Sequence, residues 1–429
     1  MPLKPSVNDN VLAAPAPGIR QTPRCRFCGA GLEVSFADLG MTPPSNAYLR
    51  AEDLSRMEPF FPLHAHVCSH CFLVQLEQFQ TPGEIFSDYA YFSSYSESWL
   101  AHARAYAEMA VGRFGLDAGS QVVEVASNDG YLLQYFLQAG VPVLGIEPAA
   151  NVAAVANSRG ITSLVRFFGV ETARELAAEG RRADLLIGNN VLAHVPDIND
   201  FVAGLAIALK SEGTVTMEFP HLLQLIRNVQ FDTIYHEHFS YLSFLTVERI
   251  FAAHGLEMFD VEELATHGGS LRIYARHRGA AGPIGHAVGE MRARERAAGF
   301  EDVATYRGFA ERVKAVKRGL LSFLIEAKFG GKKVAAYGAA AKGNTLLNYC
   351  GIRSDFVDCV VDLSPHKQGL YLPGTHIPIR HPDHVAATRP DYLLILPWNL
   401  RSEIMGQMAH IRGWGGKFVV PIPSTRVFA

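Results

Sequence analysis

Residues 121–140, QVVEVASNDGYLLQYFLQAG, read as a buried strand, a turn of small and polar residues, and a helix beginning near Tyr131. Small residues let a ligand approach the backbone, and a helix N-terminus offers unpaired N–H groups. A second strand follows in VPVLGIEP, residues 141–148, and closes on Glu147, where an acidic side chain is placed to accept hydrogen bonds from ribose hydroxyls. Taken alone, this pattern fits a nicotinamide enzyme or a methyltransferase. The missing G-x-G-x-x-G counts against the dinucleotide reading.

Outward from this stretch, apolar strands and helical segments alternate from about Ser120 to His277, which predicts a doubly wound α/β unit. A helical run, SESWLAHARAYAEMAVGRFG at 96–115, leads into it. A charged helical region follows it, and a second α/β alternation starts at KKVAAYGAAAKGNTLLNYCG, residues 332–351. The organisation expected is a Pro- and Ala-rich mobile leader over residues 1–22, a small metal-binding module over 23–82, a central domain over 83–280 and a C-terminal Rossmann-like domain over 281–429.

The bulk properties agree with several globular units. The chain has 429 residues, too many for one hydrophobic core, with 48% hydrophobic and 19% charged residues. A formal charge of −3 and the absence of a long Lys/Arg run argue against nucleic acid or an anionic membrane as partner. No stretch has the apolar length to cross a bilayer, and the opening residues lack a basic segment followed by an apolar one, so a cytoplasmic location is expected.

Cys25, Cys28, Cys68 and Cys71 form two C-x-x-C pairs in one short segment, while Cys350 and Cys359 lie far away and read as ordinary buried thiols. Paired knuckles in a reducing compartment clamp a metal more often than they form disulfides. Four thiolates fill a tetrahedral zinc ion, leaving no open position for water or substrate, so the metal's role is structural. His64, His66 and His70 are close in sequence, but a complete cysteine set makes them unnecessary as ligands.

The densest polar cluster is Tyr235-His236-Glu237-His238. Two histidines two residues apart do not have the one-turn spacing of a zinc protease helix. In an extended strand His236 and His238 would share a face, with Glu237 on the other; in a helix they would diverge. Imidazole suits proton removal near neutral pH, and a neighbouring carboxylate can orient it.

Together, EVASNDGYLLQYF (124–136), GIEPAANVAAVANSRGI (145–161), NNVLAHVPDINDF (189–201) and EFPHLLQLIRNVQFDTIYHEHFSYLS (218–243) resemble the sugar C-methyltransferases that act on nucleotide-diphosphate ketosugars. The resemblance extends to both flanks, to the four-cysteine module and to YGAAAKGNTLLNY at 337–349. It implies a class I Rossmann-like methyltransferase domain at the centre, S-adenosylmethionine as methyl donor, structural zinc, a TDP-linked ketosugar foremost as substrate, and a monomer. It further implies that Glu124, Ser127, Asn128, Asp129, Gly130, Glu147, Asn190 and His194 surround the methyl donor. His238 would be the base, with Tyr235 and Glu237 holding substrate or the imidazole, and Tyr89 and Tyr91 would be donors near the ketone. Ala126 departs from the pattern, since methyltransferase turns commonly carry Gly there; its methyl matters if the backbone needs positive φ.

In the C-terminal motif, Lys342, Asn344 and Asn348 are candidates for binding a nucleotide diphosphate, with backbone N–H groups assisting. Asp362, after the strand FVDCVVD, keeps a second ribose site in view. The reading that follows is C-methylation beside a ketone through an enolate, in deoxysugar biosynthesis. The rivals are an O- or N-methyltransferase on a related polar metabolite, a nicotinamide-dependent sugar oxidoreductase or epimerase, and a non-catalytic metabolite-binding protein on the same scaffold.

Overall fold

The computed structural model describes residues 22–86, 93–95 and 97–429, which form three sheets with helices packed around them. In the central one, Val122–Val125 has every position buried, as expected of a strand covered on both faces. Parallel neighbours flank it: Val143–Ile146 and then Ser163–Leu164 on one side, Ala183–Asn189 and then Leu209–Pro220 on the other. The sheet ends in an antiparallel pair, Ser270–His277 beside Leu209–Pro220 and Leu256–Leu264 at the edge. The order reverses at Val122–Val125, so a crevice opens beyond its carboxyl end, where the turn read from the sequence lies.

The C-terminal sheet repeats this plan. Val334–Tyr337 pairs in parallel with Val360–Val361 on one side and Tyr392–Ile395 on the other, and Lys417–Val420 and an antiparallel Arg426–Phe428 complete that edge. The two domains also share a detail of wiring. Glu147, after the second central strand, accepts hydrogen bonds from the backbone N–H groups of Asn128 and Ala149, both at 2.9 Å. Asp362, after the second C-terminal strand, accepts from Ala339 and Ser364, both at 2.8 Å. In each case a short acidic side chain closes the first strand–helix turn against the second strand.

The third sheet belongs to the cysteine module: Val34–Thr42, Phe61–Val67 and Val74–Leu76 are antiparallel, and Ser240–Tyr241 of the central region adds a fourth strand. This module is not an appendage. Phe36 stacks on Phe309 at 4.4 Å between ring centroids, and one apolar core joins Leu63 and Val74 of the module to Leu320 and Leu346 of the C-terminal region. No helix among the described residues is long and apolar enough to cross a membrane.

Candidate active site and metal centre

The ligand atoms of Cys25, Cys28, Cys68 and Cys71 lie within 4.8 Å of one another, the one such cluster among the described residues. Four converging thiols with no disulfide among them fit a tetrahedral zinc ion and leave no open position. The knuckles also dock on the central domain. Asn199 Nδ2 donates to the carbonyls of Arg26 and Phe27, at 3.2 and 2.9 Å, and Thr246 Oγ1 donates to that of Cys71 at 3.3 Å. Cys25, Cys68 and Cys71 are part of the central domain's own apolar core.

The turn after Val122–Val125 is cradle-shaped because its backbone is left-handed at three points: Ala126 (φ 57), Asn128 (φ 49) and Gly130 (φ 77). At Gly130 the positive φ and a Cβ that would come within 2.5 Å of Ile161 Cδ1 both favour glycine. Around it lie buried polar atoms without hydrogen-bond partners: both carboxylate oxygens of Glu124, Ser127 Oγ, Asp129 Oδ1 and, on the adjoining strand, Asn189 Oδ1. Burial, then the charges of Glu147 and Asp129, push the Glu124 carboxyl well above its usual range. Unpaired buried groups cost about 1–3 kcal/mol each. A ligand bringing an ammonium and ribose hydroxyls would satisfy them, which fits S-adenosylmethionine. Asn128 and the other oxygen of Asp129 are engaged elsewhere: Asn128 Oδ1 accepts from Ser93 N at 2.9 Å, and Asp129 Oδ2 accepts from Ser94 Oγ and from Arg159 Nη1, the latter at 3.3 Å. They pin segment 93–95 onto the turn. Asn190, at φ 55, donates its N–H to the Glu218 carbonyl at 2.7 Å and bends the chain at the crevice rim. Tyr89 and Tyr91 lie outside the described residues.

The Tyr235–His238 cluster is neither strand nor helix. His238 N–H bonds back to the Tyr235 carbonyl at 2.9 Å, closing a turn that sends the two histidines to different neighbours. His236 bonds the Pro62 carbonyl at 3.2 Å and packs between Phe61 and Phe79 of the metal module. His238 turns instead into a cluster, here termed the chamber, with His194, Tyr235, Tyr241, His267 and Lys342. Its Nδ1 donates to the Thr233 carbonyl at 2.9 Å, which fixes the tautomer and leaves Nε2 as an acceptor. His194, expected beside the methyl donor, sits against His238 at 4.6 Å between centroids and donates Nδ1–H to the Glu237 carbonyl at 2.9 Å. Burial lowers His194 to about 4, and burial followed by the neighbouring His194 holds His238 well below the usual imidazole range. Both rings are therefore neutral near pH 7. Tyr235 packs against His238 at 4.0 Å between centroids, the rings tilted by 34°. The Glu237 carboxyl points away from the ring: it accepts from Asn46 Nδ2 at 2.6 Å, and burial raises it to about 7.

The C-terminal candidates separate. Asn344 is buried, and Asn348 Nδ2 is spent on the Asn344 carbonyl at 3.0 Å, the Asn344 side chain at 3.1 Å and the Pro373 carbonyl at 3.1 Å. Their amides serve the packing of the helix Ala341–Cys350. Lys342, on another face of that helix, enters the central chamber and donates to Asn399 Oδ1 at 2.8 Å. Four more residues reach the site that the sequence did not single out: Asn46, Asp232, Trp398 and His267. Only His267 had a signal, the strained-turn pattern His-Gly-Gly at 267–269, all three with positive φ. His267 keeps exposed surface although protein surrounds it on nearly every side, as a cleft-lining group does; burial lowers it to about 4. Next to this chamber a cavity of about 420 Å³ lies between the metal module and the C-terminal domain, lined by Asn46, Tyr48, Arg50, Ser364, His366 and Lys367 among others.

Comparison with known proteins accounts for the chain almost end to end. Family models match in series: a zinc binding domain at 25–86, a methyltransferase domain at 99–261 and a C-methyltransferase C-terminal domain at 265–423. The chain is 39% identical over 414 residues to C-methyltransferase NovU of Streptomyces niveus, covering 96% of this chain and 98% of that protein. Over 97 residues it is 27% identical to a ubiquinone biosynthesis O-methyltransferase of Bartonella bacilliformis, covering 22% of this chain and 39% of that one. Among solved structures it is similar to magnesium protoporphyrin IX methyltransferase from Synechocystis PCC 6803, at 16% identity and a TM-score of 0.33, covering 41% of this chain and 82% of that one. With its methyl-donor crevice and four-thiolate centre, this chain is an S-adenosylmethionine-dependent methyltransferase that carries structural zinc and belongs to the C-methyltransferase family.

Proposed function

We propose that the enzyme methylates the carbon beside the ketone of a nucleotide-diphosphate-linked ketosugar, a TDP-sugar foremost, working in the cytoplasm. The observation that carries this reading is His238: a neutral imidazole whose Nδ1 is tied to a carbonyl, leaving the Nε2 lone pair as acceptor in a chamber beside the methyl-donor crevice. Carbon is not nucleophilic until a proton leaves it, so C-methylation needs a base before the methyl group moves, whereas a hydroxyl oxygen already carries lone pairs and can lose its proton as the methyl group arrives. When bound, S-adenosylmethionine supplies an electrophilic methyl group on sulfur. The protein's part is to hold the α-carbon of the ketone within reach of Nε2, accept its proton, and exclude water while the carbanion exists. The His194 ring edge-on to His238 and the tilted Tyr235 ring against it hold the imidazole in place.

The cavity beside Asn46 suits the other end of the substrate. Arg50 and Lys367 supply positive charge, Tyr48 and Ser364 supply hydroxyls, and Asn46 links the cavity wall to Glu237, the residue before the base. Its volume lies within the usual range for small-molecule sites of about 300–1,000 Å³. A nucleotide diphosphate seated there extends its sugar past Asn46 toward His238. The test is turnover of TDP-linked ketohexoses with S-adenosylmethionine, following carbon methylation by mass spectrometry. His238→Ala is expected to reduce kcat by roughly 10²–10⁴, the usual contribution of a general base, with S-adenosylhomocysteine binding unchanged. Methylation at oxygen, or full turnover by His238→Ala, would sink the reading.

A further inference from the structure

Lys342 belongs to the C-terminal domain by sequence and to the central chamber by position. Three groups hold its ammonium there. Asn399 Oδ1 accepts from Nζ at 2.8 Å, the Trp398 ring lies beneath it at 5.0 Å from the centroid, and Asp232 supplies an opposing charge. Trp398 is itself fixed, because its Nε1–H donates to Asp232 Oδ2 at 2.7 Å. The loop of the central domain that carries His267 closes against the same indole. A Cβ on Gly268 would meet Trp398 Cη2 at 2.4 Å, so the backbone approaches as closely as glycine allows.

This is a costly arrangement for a lysine that merely packs. Burial pulls the ammonium below its usual range, and its charge bears on two imidazoles, His238 and His267, that burial keeps neutral. Asp232 is the carboxylate that offsets it; burial raises that carboxyl in turn to about 6, and its Oδ1 has no hydrogen-bond partner. An ammonium has three donors, and one is spent on Asn399. The chamber therefore contains a fixed cation, offset by Asp232 and with N–H groups not spent on Asn399, beside a neutral base held by the carbonyl of the neighbouring Thr233.

We propose that Lys342 is a catalytic residue of the proton-abstraction step, donating a hydrogen bond to the ketone oxygen of the substrate and holding the negative charge that develops there. This rests on the enolate reading above and assigns the group that stabilises the enolate. In the step, the C–H bond beside the ketone breaks and its proton forms an N–H bond at His238 Nε2. The electron pair enters a carbon–carbon double bond, and the carbonyl π pair moves onto oxygen, which Lys342 faces. Base and cation create and hold the charge pair together: imidazolium on one side, enolate oxygen against ammonium on the other. That arrangement overcomes the reluctance of a buried imidazole to take a proton, because the proton arrives together with a counter-charge. Oxyanion donors fixed before the reaction cost no reorganisation during it.

The proton step runs without a methyl donor, so it can be read separately from turnover. TDP- and UDP-linked 4-ketohexoses are incubated with zinc-loaded enzyme in deuterium oxide, with S-adenosylhomocysteine present, and deuterium uptake beside the ketone is followed by mass spectrometry. Binding of the same sugars is measured by calorimetry. The expectation is uptake by the wild type, a loss of roughly 10²–10³ in Lys342→Met, as for removal of an oxyanion donor, and unchanged sugar Kd. Lys342→Arg, which keeps the charge, is expected to recover part of the rate. Uptake by Lys342→Met at the wild-type rate overturns the assignment, as does a raised Kd with unchanged uptake, which would make Lys342 an anchor for the nucleotide. If the wild type takes up no deuterium from any ketosugar it binds, the enolate reading itself falls, and this assignment with it.

Discussion

Removing the metal tests how the molecule is held together. Chelation leaves four thiols crowded within 4.8 Å, three of them buried in the core that also contains Phe244, Val247 and Ile250 of the central domain. Structural zinc contributes apparent binding energies of about 10–16 kcal/mol in small peptides, against a total stability of about 5–15 kcal/mol for a typical domain. On that scale the knuckles cannot stay ordered without the ion. Their loosening also removes the docking bonds from Asn199 to Arg26 and Phe27, from Thr246 to Cys71, and from Arg26 Nη1 to the Pro196 carbonyl at 2.6 Å. At roughly 0.5–1.5 kcal/mol net for each hydrogen bond, these four add several kcal/mol to the loss. The expected outcome is a lower melting temperature and, by hydrogen exchange, early loss of protection at residues 25–76 and in the helix Phe244–Ala253, while the strand Val122–Val125 stays protected. Zinc release would be followed in parallel with a chromogenic chelator. Stoichiometric release with melting and exchange both unchanged would refute the reasoning, because the ion would then be bound without supporting the fold.

Two further outcomes follow from named residues. Ala126 has φ 57, a conformation that costs a residue with a Cβ about 1–2 kcal/mol, while glycine loses about 0.5–1 kcal/mol through its freer unfolded chain. Ala126→Gly is therefore expected to raise stability in chemical denaturation by up to about 1 kcal/mol without weakening S-adenosylhomocysteine binding, and a clear loss of stability would count against the strain. Glu237 has an ordinary value of 4.5 and burial raises it to about 7 in the fold, so the fold favours the protonated carboxyl. Its contribution is full below pH 4.5 and is lost as pH rises through 7, a span of about 3 kcal/mol. Glu237→Gln, which never ionises, should gain melting temperature over the wild type as pH rises from about 5 to about 8; a gap that stays constant with pH means the carboxyl titrates in the ordinary range.

Local features were legible in the sequence because the chemistry is local. Two C-x-x-C pairs, a strand ending in a turn of small residues, and an acid one strand later each need only a few neighbouring residues to declare themselves. What was not legible depends on partners far away in the chain. Ser240–Tyr241 joins the metal module's sheet, and nothing in those two residues names Val74 and Gln75 as their pairing partners. The His-Glu-His run forms a turn because His236 is captured by Pro62 and His238 by Thr233, so neither the strand nor the helix geometry applies. The grouping of Lys342 with Asn344 and Asn348 held a clue that was available earlier. On a helix, residues four apart share a face and residues two apart do not, so the two asparagines fall together and the lysine falls elsewhere.

The helix Ala341–Cys350 ties the C-terminal domain to the site. It packs into the common core through Leu346 and Leu347, and from its first turn Lys342 reaches the chamber. From the opposite direction, Asn46 of the metal module holds the Glu237 side chain, and Glu237 gives its carbonyl to His194. On the proposed mechanism, His238 is braced through His194 and Glu237 by the N-terminal module, and Lys342 is carried by the C-terminal domain. Creating a carbanion requires a base and an opposing charge held on fixed supports on either side of one carbon. On that proposal the two flanking domains, packed into a single core with each other, provide those supports.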